Sequence, residues 1–300
     1  MARAGISASV TVCLGLALGS FWLPETVFAQ DSAPSAPQSA PTAKPAETPL
    51  IKPDAPPGMR RNAADALVRS MAGQVSPSDD TPAHDPIVVE LFTSQGCSSC
   101  PPADALFETY ADRDDVIALA LHVDYWDYLG WKDPFGKAEF TARQKAYARA
   151  ARERTVYTPQ MIVGGTTALV GVQKDELKVA IAQQSAVRQP VHLKISGADG
   201  DYEVLLSADP PLSAPAVVQI VRYMPEARIA ILRGENAGQT IDYRNIVTEW
   251  HAVAEWDGKT PTRIKVDLDG ADPGVVIVQA AQPGQGVPLP GKILAAGRLE

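Results

Sequence analysis

The order in which strand-like and helix-like patterns follow one another constrains the fold of this chain more than any other feature. Between residues 86 and 188, short apolar runs alternate with segments of helical spacing in the order β-α-β-α-β-β-α, and Gly164-Gly165 predicts a hairpin between the last two strands. This order predicts an α/β domain, in which helices cover a mixed sheet and ligands meet the carboxyl ends of its strands. The predicted strands are 87–92, 116–121, 161–163 and 167–170, and the predicted helices are 103–112, 137–152 and 175–187.

A different pattern covers residues 189–300. Apolar and polar residues alternate in short runs that are separated by turn residues, and the helical spacing stops. We therefore predict a mostly-β, sandwich-like C-terminal domain. Its polar residues, Asn236 and Tyr243 among them, have no spacing typical of a catalytic arrangement. We interpret this part as a scaffold or a partner surface.

The first 29 residues have the composition of a secretory signal peptide. Arg3 is followed by an apolar stretch from Ile6 to Leu23, and small residues lead up to a cleavage position after Ala29. A transmembrane helix needs about 20 uninterrupted apolar residues, which this stretch lacks, although retention as an anchor is the alternative. Cleavage would remove Cys13 and would leave a periplasmic or secreted protein without a membrane attachment.

Residues 30–85 are rich in proline and alanine. Such a segment has too few aliphatic residues to offset the entropy of folding, so we predict a disordered tether, in which 59–74 could form one short amphipathic helix. The formal net charge of the chain is −8. An acidic protein of this kind is not expected to bind nucleic acid or an anionic membrane surface.

Cys97 and Cys100 would be the only cysteines after signal cleavage, and they follow the first predicted strand. A Cys-x-x-Cys at a strand-to-helix turn is typical of thiol-disulfide redox sites, and the start of a helix stabilises a thiolate. Cys97 would attack, and Cys100, one turn into the helix, would resolve the mixed disulfide. The spacing leaves three alternatives open: a permanent structural disulfide, a metal site with His122 as a further ligand, and two inert thiols.

Pro159 directly precedes the third predicted strand. At this point the chain resembles the thioredoxin superfamily. The resemblance implies a cis-proline that faces the cysteine pair, and it implies that the backbone of Thr158 pairs with an extended substrate segment beside the thiols. It requires no organic cofactor.

Two longer strings resemble a narrower family. They are ELFTSQGCSSCPPAD, from Glu90 to Asp104, and HVDYWDYLGW, from His122 to Trp131. Both are similar to the secreted, thioredoxin-like family known as domain of unknown function 1223 (DUF1223), as are Arg233–Asn236 and Tyr243–Val247 in the C-terminal part. This resemblance carries no established activity.

Two positions depart from ordinary thioredoxins. Gly96 stands where a tryptophan usually precedes the first cysteine, which predicts a more open thiol. Glu90 is one position away from the acid that assists proton transfer in thioredoxins. It could serve in that role, or it could be an acid at the end of a strand.

The loop from His122 to Trp131 is dense in aromatic and acidic residues and follows the second predicted strand. In one interpretation it is a wall of the substrate cleft, to which Trp126 belongs, and His122 or Asp124 moves protons for the thiols. In the other, Trp126 and Trp131 hold the loop in place, and His122 bonds a backbone group. Farther along, basic residues crowd the region 137–154, Arg143 among them, which we interpret as a solvated helix face.

The sequence therefore predicts a periplasmic or secreted thiol-disulfide oxidoreductase that acts on a protein thiol or disulfide through Cys97, Cys100 and Pro159. The competing hypothesis is a non-enzymatic protein that binds a partner or a copper or zinc ion. A third hypothesis is a structural module whose C-terminal domain does the work.

Overall fold

The computed structural model describes residues 85–284 and 288–299. The predicted signal peptide (1–29), the helix predicted over 59–74 and all of the predicted tether except Asp85 lie outside these residues. Among the residues that the structure describes, no helix combines the length and the apolar character needed to cross a membrane.

The first half of the described chain has the predicted order of elements. Strands and helices follow one another as β-α-β-α-β-β-α, with one short 3-10 helix inserted. Gly164 and Gly165 form the hairpin turn, and both have positive φ angles, which only glycine adopts easily. The elements are β1 (Ile87–Thr93), α1 (Pro101–Ala111), β2 (Val116–His122), the 3-10 helix (Asp127–Leu129), α2 (Ala138–Ala150), β3 (Gln160–Val163), β4 (Thr167–Val170) and α3 (Lys174–Ser185).

Strands make up the regular structure that the described residues form after α3, but these strands do not build a sandwich of their own. Four of them extend the sheet of the first half into an eight-stranded mixed sheet of order β11-β10-β7-β8-β2-β1-β3-β4, and the other three form a sheet of order β5-β6-β9. The strands are β5 (Val191–Ala198), β6 (Asp201–Ala208), β7 (Ala216–Ala230), β8 (Thr240–Trp256), β9 (Thr262–Asp267), β10 (Gly274–Gln282) and β11 (Leu289–Leu299).

The predicted boundary between residues 188 and 189 thus separates segments that share one sheet. β8 joins the two halves, because it runs parallel to β2 at the pair Ala120–Ile246. A buried strand such as β2 needs a neighbour on each edge to bond its backbone groups, and periodicity along the chain does not reveal which strand supplies it. Two facing sheets do exist, since an apolar cluster packs β5 and β6 against β7, β10 and β11.

The two faces of β1 point to different helices, because side chains alternate along a strand. Val89 and Leu91 pack with residues of α1 and α3. Val88 and Phe92 pack on the other face with residues of α2 and β11. Thr93 follows the alternation of Leu91 and faces α1. Side chains on this face are the ones that can reach the first turn of α1.

Candidate functional site

Cys97 and Cys100 form a disulfide in the connection between β1 and α1, with their Cα atoms 5.4 Å apart. Cys100 is the N-cap residue of α1, which starts at Pro101, and the backbone N–H of Cys100 donates to the Cys97 carbonyl at 3.2 Å. The predicted position of Cys100 one turn into the helix is therefore wrong. Cys97 lies in the turn before the helix, and Cys100 occupies the N-cap position.

Both cysteines are covered by protein. Cys97 is 2% exposed and Cys100 is 0% exposed, although Ser99 between them is exposed. The more open thiol predicted from Gly96 is not found, because a Cβ atom at position 96 would lie 3.1 Å from Cβ of Trp126. The loop after β2 thus brings its own tryptophan against the site, and Gly96 leaves room for it.

Pro159 lies against the start of α1, as predicted, and the Thr158–Pro159 bond is cis. A Cβ atom at Gly171 would lie 2.9 Å from Cβ of Pro159 and 3.0 Å from Cβ of Ala103, so the proline and the first turn of α1 are neighbours. The carbonyl of Thr158 accepts a hydrogen bond from Ser99 Oγ at 3.4 Å. The segment before β3 and the cysteine turn are therefore in contact.

Trp126 joins these two segments. Its Nε1 donates to Thr158 Oγ1 at 2.8 Å, while its Cβ and carbonyl lie beside Gly96. Asp124, in contrast, is turned to α2 and accepts a hydrogen bond from Thr141 Oγ1 at 2.5 Å. Of the predicted loop residues, Trp126 contacts the cysteine turn and the segment before β3, whereas Asp124 binds the loop to α2.

Glu90 is not placed to assist the cysteines. It lies in the middle of β1 on the face that packs against α2, opposite to α1. Its carboxylate is fully buried, forms an ion pair with Arg143 at 2.6 Å and accepts a hydrogen bond from Tyr147 Oη at 2.5 Å. Arg143, predicted to lie on a solvated face, is thus a largely buried partner of Glu90, and its guanidinium group also stacks on the ring of Trp250.

His122 faces the α1 side and is fully buried. Its Nδ1 lies 2.7 Å from Oδ2 of Asp133. Burial alone would raise the pKa of Asp133, but the His122 charge and hydrogen bonds from His122 and from the backbone N–H groups of Gln95 and Phe135 lower it below its ordinary value. His122 therefore bonds a carboxylate, not the backbone group that one interpretation predicted.

Asp104 is a buried acid that sequence analysis did not single out. It stands four residues after Cys100, so the two side chains share one face of the N-terminal turn of α1, and its backbone N–H donates to the Cys100 carbonyl at 3.1 Å. Thr93 Oγ1 donates to Asp104 Oδ1 at 2.9 Å. Burial raises the pKa of Asp104 to about 7, against the lowering effects of His122 and Thr93.

Several polar atoms around Asp104 have no hydrogen-bond partner among the described residues. They include Asp104 Oδ2, His122 Nε2 and Tyr243 Oη, all buried. The rings of His122 and Tyr243 are 5.0 Å apart, and burial together with the charges of Asp104 and Asp133 raises the pKa of Tyr243. Buried polar atoms are almost always satisfied, so this cluster behind Cys100 is suited to hold water or to exchange protons.

Asn236 holds the cysteine turn from the C-terminal half of the chain. It lies between β7 and β8, is 1% exposed, and donates through Nδ2 to the backbone carbonyls of Gln95 at 3.0 Å and Cys97 at 2.9 Å. Trp131 adds a hydrogen bond from Nε1 to Gln95 Oε1 at 2.8 Å. The interpretation of the C-terminal part as a scaffold or a partner surface missed the contact of Asn236 with the cysteine turn.

A signal existed for each missed residue. Asp104 is an acid on the apolar helix face that Cys100, Phe107 and Ala111 share, and an acid in such a place is unusual. Asn236 ends the string Arg233–Asn236, which resembles the DUF1223 family. This string lies in a turn, where packing alone rarely requires a particular residue type. The sequence did not indicate that Asp104 and Asn236 both lie next to the cysteine turn.

The alternative metal set of Cys97, Cys100 and His122 is not assembled. Across residues 85–284 and 288–299, no group of three or more His, Cys, Asp and Glu side chains has an arrangement that could hold a metal ion. The ring of His122 is instead engaged at Nδ1 by Asp133.

Comparisons with known proteins place the chain in a family. The sequence profile of DUF1223, a family of proteins of unknown function, matches residues 88–279. The crystal structure of protein AGR_C_4864 from Agrobacterium tumefaciens is 30% identical, and the match covers 71% of this chain and 93% of that one with a TM-score of 0.60. HBP35 of Porphyromonas gingivalis is 14% identical, with 72% and 74% covered and a TM-score of 0.46, which is too low to support an argument.

No curated protein has a significant match to this sequence. The family profile spans more than half of the 300 residues and includes the cysteine pair, His122, Pro159 and Asn236. The chain is therefore a member of the DUF1223 family.

Proposed function

We propose that this protein is a thiol-disulfide oxidoreductase whose reactive pair is Cys97 and Cys100. The observation that carries the proposal is the buried carboxyl of Asp104 one helical turn from Cys100, with a pKa raised by burial to about 7. A permanent structural disulfide does not require a neighbouring acid that titrates near neutral pH. Disulfide exchange does require a group that accepts and returns a proton, because a thiol must lose its proton to attack.

The arrangement of the first half supports a thioredoxin-like fold for the domain that carries this pair. In the order β2-β1-β3-β4, β1 and β2 are parallel and β3 is antiparallel to β1. The cysteine turn follows β1, and Pro159 precedes β3 beside it. A partner polypeptide would meet both segments at this edge of the sheet, near the backbone of Thr158.

The exchange transfers two electrons between the cysteine pair and a disulfide of the partner. In the reduced protein, the Cys97 thiolate attacks one partner sulfur, forms a mixed disulfide and releases the other partner sulfur as a thiolate. Asp104 then accepts the proton of Cys100, whose sulfur attacks Cys97 and releases the second partner sulfur. The partner leaves as two thiolates, which take up the proton held by Asp104 and one proton from solvent, and the Cys97–Cys100 disulfide is formed. The reverse sequence oxidises a partner dithiol.

A redox titration joined to a trapping experiment tests the proposal. A Cys100→Ser variant should retain partners through a mixed disulfide at Cys97, and Cys97→Ser, which lacks the attacking sulfur, should retain none. The wild-type pair should also equilibrate with a thiol-disulfide buffer under native conditions. A pair that stays oxidised in the folded protein under strong reduction would make the disulfide structural.

The hydroxyl of Ser99 is expected to tune the attacking thiol. Ser99 Oγ lies 3.4 Å from Cys97 Sγ, so in the reduced protein the hydroxyl can turn from the Thr158 carbonyl and donate its hydrogen bond to the thiolate. Ser99→Ala should raise the pKa of the Cys97 thiol and slow its alkylation at pH 7 by about threefold to tenfold. The measurement is the pH dependence of alkylation in the Cys100→Ser background. The matched control is Ser98→Ala at the neighbouring exposed position, and an equal effect of both substitutions would contradict the role of Ser99.

The predicted signal peptide supports a periplasmic or secreted location, where an exchanging cysteine pair would meet disulfide-bonded partners. We propose that the partner is a protein thiol or disulfide in that compartment. Detection of the chain in cell fractions, with cleavage after Ala29 checked by mass spectrometry, tests this location.

A further inference from the structure

The turn between β7 and β8 reaches the cysteine turn from the C-terminal half. The one amide group of Asn236 donates to two backbone carbonyls, of Gln95 and of Cys97, on either side of Gly96. Two hydrogen bonds from a single side chain fix the backbone on both sides of the attacking cysteine. Their distances of 3.0 and 2.9 Å are those of well-formed bonds.

The turn that carries Asn236 is itself ordered by hydrogen bonds. Gln239 Nε2 donates to Asn236 Oδ1 at 3.1 Å, and the backbone N–H groups of Ile231 and Gly238 bond across the turn. Gly234 packs against the loop after β2, where a Cβ atom would lie 3.1 Å from Cβ of Trp131. The turn is thus held both to the cysteine turn and to the aromatic loop beside it.

We propose that Asn236 is a positioning residue for Cys97, whose two hydrogen bonds hold the cysteine turn in its buried position and so slow attack on its sulfur. This inference rests on the proposed function, which requires a partner sulfur to approach Cys97. In the structure, Cys97 is only 2% exposed, so an approaching disulfide must displace part of its surroundings. The cysteine turn can move away from the turn 231–239 only if both hydrogen bonds of Asn236 break.

The substitution Asn236→Asp tests the proposal with almost no change in shape. At pH 8 the carboxylate has no donor and faces two carbonyls, so both hydrogen bonds are lost. We expect a small phosphine reductant to open the Cys97–Cys100 disulfide about tenfold faster than in the wild type, the effect of losing about one to two net hydrogen bonds. At pH 5 a protonated carboxyl can again donate one bond, and the ratio to the wild-type rate should fall toward one.

Two further variants keep this test decisive. Gln239→Ala removes the hydrogen bond to Asn236 Oδ1 but leaves the amide of Asn236 intact, so the rate of reduction of this variant should lie between those of the wild type and Asn236→Asp. This variant replaces Asn236→Asp in the test if Asn236→Asp does not fold. Arg228→Ala removes an exposed ion pair with Asp242 in the same hairpin and should leave the rate unchanged. A ratio near one at both pH values, or an equal increase in Arg228→Ala, would overturn the proposal.

The reductant is a small molecule, so the result does not depend on any protein partner. If no partner can be trapped at Cys97 and Asn236→Asp still changes the rate of reduction, the proposed function fails and the role of Asn236 stands. If partners are trapped and the rate is unchanged, the role of Asn236 fails alone.

Discussion

Replacement of Arg143 by methionine is expected to lower the free energy of unfolding by about 3 to 5 kcal/mol. Methionine retains the aliphatic stem of the arginine but not the guanidinium group, whose carbon lies 3.7 Å from the ring centre of Trp250. It leaves the carboxylate of Glu90 fully buried without its cation, and removal of one partner of a buried pair carries this large cost. Urea unfolding of the oxidised protein, followed by circular dichroism, measures the change.

Two further variants distinguish the loss of the buried ion pair from a nonspecific loss of stability. Arg228→Ala breaks an ion pair whose side chains are both exposed, and it should change stability by less than about 1 kcal/mol. Addition of Glu90→Gln to Arg143→Met removes the unpaired charge and should restore at least half of the loss. If Arg143→Met alone is as stable as the wild type, the buried carboxylate does not depend on Arg143.

Replacement of Asp104 by asparagine is expected to stabilise the oxidised protein at high pH. Burial raises the pKa of Asp104 from 3.8 to about 7, so the folded protein binds a proton more tightly than the unfolded chain. Well below pH 3.8 the carboxyl is protonated in both states and does not affect stability. From pH 4 to pH 7 the cost grows as the unfolded carboxyl ionises, and above pH 7 it levels off at about 4 kcal/mol.

The isosteric asparagine cannot ionise and keeps an oxygen for the hydroxyl of Thr93. Its stability should therefore match that of the wild type within about 1 kcal/mol at pH 4 and exceed it by about 3 to 4 kcal/mol at pH 8. Urea unfolding at a series of pH values measures both curves. Glu108→Gln, an exposed position one turn farther along α1, is the control and should leave the pH dependence unchanged. Parallel curves for Asp104→Asn and the wild type would show that Asp104 is not a buried acid of raised pKa.

The Asp104→Asn variant also tests the role of Asp104 in thiol-disulfide exchange. Without a proton acceptor beside Cys100, resolution of a mixed disulfide should be slowed and the Cys97 adduct should persist longer than in the wild type. Because the folded protein is expected to be more stable at pH 8, slower exchange there could not be attributed to unfolding.

The local elements of the first half were predictable because each depends on residues close in sequence. Apolar runs and helical spacing gave the order of β1 to α3, and Gly164-Gly165 marked the hairpin. Pro159 was found from the resemblance to the thioredoxin superfamily at the position before β3. The predictions that failed depended on which face or which distant segment a residue meets. Glu90 was judged by its distance along the chain from Cys97, whereas the alternation of β1 turns it to the opposite face.

For this protein, the sequence alone determined the cysteine pair, the order of elements around it and membership of a family, because these are written in contiguous residues. Tertiary structure decided the environment of that pair. It brought Asp104 and His122 into one buried cluster and carried Asn236 across more than a hundred residues to Cys97, through the pairing of β8 with β2. Contacts of that range arise when two strands share a sheet edge, and periodicity along either strand carries no information about its neighbour.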